Sequence, residues 1–134
     1  MTTTNRPALH VALWVAQLVL GLLFIGTGLW KLATPTATLA TMIPWVAQVP
    51  AAFVVFIAVV DMAGGFGVIL PSLTRIAPRL TVLAAIGCLL LQGAAVAFHL
   101  SRGEGASTPF NVVLIAVAAF IAWGRWRAVP IAAR

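Results

Sequence analysis

Four long apolar runs, at residues 9–32, 49–70, 77–100 and 109–126, dominate this chain and leave only short polar connections between them. The first three reach the roughly 20 residues that cross a hydrocarbon core; the fourth has a shorter apolar centre and leans on flanking Trp and Arg. With 134 residues, 63% of them hydrophobic, a water-soluble domain of this size could not hide so much apolar surface. The runs therefore predict an all-α fold, a four-helix transmembrane bundle, with residues 1–134 as a single integral membrane domain. Four spans consume nearly the whole sequence and leave no room for a soluble catalytic domain.

The N-terminal MTTTNRPALH lacks the charged region, apolar core and small-residue cleavage pattern of a secretory signal, so the first span is expected to be retained. The formal charge of +6 would suggest nucleic acid in a soluble protein. Here the cations gather at helix ends instead of forming a basic face, and no nucleic-acid partner is expected. With four crossings both termini share a side, which carries Arg6, Arg75, Arg79, Arg125, Arg127 and Arg134 against Lys31 and Arg102 opposite. The positive-inside rule places both termini in the cytoplasm and leaves residues 32–48 and 101–108 outside.

The longest connection, LATPTATLATMIPWVAQ, has a mildly apolar middle from Leu39 to Val46, read as a short interfacial helix with Trp45 among the headgroups. In PSLTRIAPR, Pro71 suits a helix stop and Pro78 a helix start, so spans two and three form an antiparallel hairpin. Thr108 is placed to cap the fourth span. Small residues recur at Gly21, Gly26 and Gly28, at Ala63, Gly64, Gly65 and Gly67, and at Gly87 and Gly93; they read as sites of close helix packing.

The chain has two acids, and one of them, Asp61, stands inside VPAAFVVFIAVVDMAGGFGVIL. A carboxylate at that depth is costly unless another group receives it, so it marks an interhelical contact or a site. Glu104, in a polar turn, reads as ordinary. Counting about 1.5 Å per residue from the helix ends puts Gln17 and Asp61 near mid-bilayer with Cys88 close by. Lys31, His99 and Asn111 fall at the outer ends of their spans, with Gln92 two turns below His99. These groups predict a shallow polar pocket opening outward, with Asp61 as its floor. The same count sets Lys31 and Asp61 about 15 Å apart along the normal, roughly twice the reach of a lysine stem. Their pairing then needs tilt, a water bridge or a second span that starts later; an alternative partner for Asp61 is Gln17.

One His, one Asp and one Cys at these depths do not converge on a metal ligand set. The lone Cys88 excludes an intrachain disulfide and a CxxC redox pair, and reads as a small core residue. No member set for serine-triad chemistry is present.

The stretches LVLGLLFIGTGLWKL, VVDMAGGFGVILPSLTRIAPRL, AAVAFHLSRGE and FNVVLIAVAAFIAWGRW together resemble the DoxX-like family of small four-helix bacterial membrane proteins. The run D-x-x-G-G-x-x-x-x-L-P followed by a basic residue, with GLWKL, is the most specific part. The resemblance implies a multi-pass protein of the bacterial inner membrane and family-like positions at Gly28, Lys31, Asp61, Gly64, Gly65, Pro71, His99, Asn111 and Arg125. Some relatives are regarded as small subunits of quinone-linked or thiol-stress oxidoreductase systems. This chain has no haem ligand set, flavin motif or cysteine pair, so no covalently bound cofactor and no catalytic activity of its own are expected.

Three functions stay open on the sequence. The first is an accessory or anchoring subunit whose interior binds a quinone or other small amphipathic molecule, with an oxidoreductase partner carrying the redox centre. The second is a purely structural protein whose partner is membrane lipid. The third is a small proton-coupled transporter that uses Asp61 and needs a homodimer, because four spans are few for alternating access.

Overall fold

A computed structural model describes residues 6–134; the reading of the extreme N-terminus therefore falls partly on residues 1–5, outside the described residues. The helices are α1 (Pro7–Ala33), α2 (Thr36–Met42), α3 (Ala51–Thr74), α4 (Leu80–Ser101) and α5 (Thr108–Trp123). A 3-10 turn, Pro44–Gln48, follows α2, and a π-helical turn, Gly124–Ala128, continues α5. The four long helices, α1, α3, α4 and α5 with its extension, are each apolar and long enough to cross a membrane. Sequential helices are neighbours, α1 against α3, α3 against α4 and α4 against α5, and a smaller α1–α5 contact closes the ring.

A layer of Leu20, Phe24, Val68, Ala85, Cys88, Leu114, Ala118 and Ile121 fills the centre of this ring. Val15, Leu22, Phe56, Leu83, Leu90 and Val113 point outward and are mostly exposed. Such outward apolar side chains suit lipid. In hydrocarbon, helices gain little from hiding apolar groups, so close packing and polar contacts must hold the bundle.

Glycines supply the closest packing. A Cβ on Gly65 would lie 2.6 Å from the Gly21 carbonyl oxygen, and one on Gly28 would lie 2.7 Å from the carbonyl of Ala58. The α1 and α3 backbones therefore touch, which only glycine permits here. Gly64 and Gly67 leave similar clearance for Cys88 and Ala84 of α4. The glycines are not equivalent, however: a Cβ on Gly26, Gly87 or Gly93 would meet nothing within 4 Å. Those three have open space beside them, and the even scatter of small residues in the sequence gave no way to separate them from the packed set.

Three boundaries differ from the sequence expectation. Pro71 does not stop its helix: α3 runs on to Thr74 and ends at Arg75, in the left-handed conformation with φ 59°. Proline removes an N–H and crowds the carbonyl four residues back, here that of Gly67. Neighbouring helices can supply the missing bonds in a membrane bundle. One step along, the Val68 carbonyl accepts a 2.7 Å hydrogen bond from Gln17 Nε2 of α1. Thr108 does not cap α5, because its hydroxyl donates backward to the Gly105 carbonyl at 2.7 Å. The long connection forms two short helical pieces folded onto the bundle, and its Leu39 and Val46 pack on Val54 in a small apolar cluster.

The glycine contacts predict a sharp contrast between two alanine substitutions. Gly65→Ala must push α1 and α3 apart and should lower stability by about 1–3 kcal/mol, the usual cost of overpacking. Gly26→Ala should be neutral within about 0.5 kcal/mol. Thermal unfolding of both variants in one detergent measures the difference, and equal midpoints would show that the backbone contact does not hold the bundle.

Candidate ligand-binding site between the helix ends

The α1–α3 register brings Lys31 to Asp61. Gly21 faces Gly65 and Ile69 while Gly28 faces Ala58 and Met62. Continued three residues, this antiparallel register sets Lys31 level with Ile57, four residues or about 6 Å along the axis from Asp61. A lysine stem covers that distance. Lys31 Nζ donates to Asp61 Oδ2 at 2.5 Å, with the two side chains 13% and 6% exposed. The 15 Å estimate from sequence is thereby corrected: it counted from cytoplasmic ends set at equal depth, whereas α1 is displaced along α3 and α3 runs to Thr74, four residues past the span drawn at 49–70.

Above this pair a cavity of about 510 Å³ opens between α1, α3, α4 and the folded connection. Lys31, Asp61, Gln92, His99 and Asn111 all line it, and Trp45, Phe53 and Phe98 form apolar walls. Asn111 Nδ2 donates to Gln92 Oε1 at 2.6 Å, joining α5 to α4. That bond leaves the Gln92 amide N–H groups and the Asn111 carbonyl for other partners, and Lys31 keeps two of its three donors. The site thus presents donors and acceptors together on a floor of one ion pair, beneath aromatic walls.

The rim contains a group that sequence reasoning set aside. Glu104 Oε1 accepts from Arg102 Nε at 2.7 Å and lies 3.4 Å from His99 Nδ1. Arg102 also donates to Gln48 of the 3-10 turn and stacks over Phe98, 5.0 Å from the ring centre. This network ties the α4–α5 turn to the folded connection beside the cavity mouth. Partial desolvation raises the Glu104 pKa, but the Arg102 and His99 hydrogen bonds and charges outweigh it and hold the carboxyl below its ordinary value. A depressed folded-state pKa makes this contact favourable above the unfolded Glu range and loses it as pH falls through the folded value. The short spacing from His99 to Glu104 across Gly103 was the available signal; in the structure Gly103 takes the left-handed conformation, with φ 70°.

Gln17 is not in this cavity. Its amide lies at the other end, where Arg125 Nε donates to Gln17 Oε1 at 2.6 Å. Arg125 is 4% exposed, so it is a buried group as well as one of the terminal positive charges. Asp61 has Lys31, not Gln17, as its partner. Cys88 belongs to the central apolar layer.

A sequence profile of the DoxX-like family matches residues 15–121. The chain belongs to the DoxX-like family. The match contains all five polar residues that line the cavity and stops four residues before Arg125. No curated protein and no solved structure matches the chain. As a DoxX-like protein with four long apolar helices, it is a multi-pass membrane protein.

Removing one member of a buried ion pair strands the other. Asp61→Asn should therefore destabilise this DoxX-like protein by about 3–5 kcal/mol, whereas the double change Lys31→Met with Asp61→Leu should recover most of that loss. Unfolding midpoints for Asp61→Asn, Lys31→Met, Asp61→Leu and the Lys31→Met, Asp61→Leu double variant test the pairing; a double variant no better than its two component singles would contradict it.

Proposed function

We propose that this DoxX-like protein is an accessory or anchoring subunit of an inner-membrane oxidoreductase system whose cavity receives the headgroup of a quinone or a chemically similar amphipathic molecule. The observation that carries this reading is the cavity's composition: an ion pair and two amides at the floor, aromatic side chains at the walls. Quinone carbonyls are acceptors, and the free N–H groups of Lys31 and Gln92 are donors at the right end of the cavity. The ring would lie against Trp45, Phe53 or Phe98, and ligand pockets combine these features generally. The chain carries no cysteine pair or flavin motif, so electron transfer would fall to a partner subunit. The six arginines at the terminal end favour cytoplasmic termini, which would make the cavity open on the outer side.

A structural reading rests on the closeness of the Lys31–Asp61 pair itself. A satisfied internal ion pair can fix helix register with no ligand at all.

Native mass spectrometry with a short-chain quinone analogue separates the two. Wild type should carry the analogue above lipid background, and Gln92→Leu should weaken binding about tenfold, the equivalent of one hydrogen bond of about 1.4 kcal/mol. Absence of both analogue binding and a partner crosslinked in cells would overturn the proposal. Retention of fold and cellular phenotype by the Lys31→Met, Asp61→Leu double variant would favour the structural reading.

A further inference from the structure

The two acids of the chain are both matched by bases near the cavity end, Asp61 by Lys31 and Glu104 by Arg102. Eight Lys and Arg residues less these two leave six, and all six are arginines at the terminal end. The whole formal charge of +6 therefore sits at one end of the bundle, with no acidic side chain beside it.

One of these arginines is buried. Arg125 projects from the π-helical turn after α5, an irregularity frequent at functional positions. Its Nε donates to Gln17, and its Nη1 donates to the Val129 carbonyl at 3.0 Å and lies 3.1 Å from His10 Nδ1. Its ring-facing side lies over Trp14 at 5.5 Å. None of these partners is a carboxylate. Among the described residues, Arg125 Nη2 is the buried side-chain nitrogen with no hydrogen-bond partner. A guanidinium held out of water with an idle donor and no counter-charge is expensive.

A cleft of about 620 Å³ adjoins this group. Arg125 lines it with Arg79, Ser72 and the terminal segment around Ile131. That segment is folded back as a wall: Arg75 Nε donates to the Ala132 carbonyl at 2.9 Å, and the Arg134 N–H donates to the Arg75 carbonyl at 3.1 Å. The arrangement brings two arginines to one opening, while the buried Ser72 hydroxyl beside it is paired with that of Thr81 at 2.7 Å. Guanidinium forks match phosphate oxygens in geometry and charge.

We infer that this terminal-end cleft, between Arg79 and the buried Arg125, is a binding site for a phosphate group, either the headgroup of an anionic phospholipid or a free phosphate. The site is separate from the cavity floored by Lys31 and Asp61, and it stands whether or not that cavity takes a quinone.

Thermal unfolding in mixed micelles tests it. Wild type is measured with phosphatidylglycerol against phosphatidylcholine, and with inorganic phosphate against chloride at equal ionic strength. Stabilisation by several degrees with phosphatidylglycerol but not inorganic phosphate assigns the site to a lipid headgroup; stabilisation by inorganic phosphate assigns it to the free anion. No selective shift with either overturns the inference. Arg79→Gln, on the exposed rim, should fold normally and lose at least half of the shift, and a full shift in that variant would remove the cleft as its cause. Arg125→Gln should lose the shift entirely. Where that variant does not fold, Arg79→Gln alone decides.

Discussion

The bundle depends on backbone contact between α1 and α3. Because Gly65 lies against the Gly21 carbonyl and Gly28 against that of Ala58, the two helices can meet in one register and few others. That register decides where Lys31 ends up. A slip of one turn would carry its ammonium about 5.4 Å away from Asp61 and leave two charges unmatched in hydrocarbon. Close packing and the ion pair therefore reinforce each other: the glycines bring the charges together, and the charges penalise any other alignment. Dispersion contacts between smooth apolar helices would not discriminate so strongly, since lipid tails offer nearly the same contacts.

The polar residues follow one order on every long helix. From the cavity end, α1 presents Lys31, then the central Phe24 and Leu20, then Gln17; α3 presents Asp61, then Val68, then Ser72. On α4, Gln92 is separated from Thr81 by Cys88 and Ala85; on α5, Asn111 is separated from Arg125 by Leu114, Ala118 and Ile121. Each end of the bundle is thus stitched by side chains, the terminal end by a buried Ser72–Thr81 hydroxyl pair at 2.7 Å as well as by Gln17 and Arg125. The middle is held by apolar contact.

Much of this was legible in the sequence and some was not, for identifiable reasons. Hydropathy alone located the four spans, since a run such as residues 77–100 has no other use in a chain of this composition. It also singled out Asp61, because one carboxylate in a long apolar run must be received by another group, in an interhelical contact or a site. Relative depth was not legible: it depends on how far one helix slides along another, and that is set by Gly21, Gly28 and Gly65 acting across the interface. Pro71 misled because α3 continues through it to Thr74, and a proline in a membrane helix is not a reliable stop. Arg125 was counted with the other terminal arginines because charge counting ignores direction, and only the π-helical turn and the nearness of Gln17 turn it inward. Glu104 was dismissed because a polar turn normally leaves its acid in water; here Arg102 and His99 converge on it.

The central layer bears on what such a small bundle can do. A proton or ion crossing from the cavity to the terminal end would have to pass Phe24, Val68, Cys88 and Leu114, which offer no chain of hydrogen-bonding groups. Asp61 meanwhile has its lysine beside it instead of a second acid or histidine to relay a proton. The polar groups at the two ends of the bundle are thus separated by an apolar layer that offers no continuous hydrogen-bonded path between them.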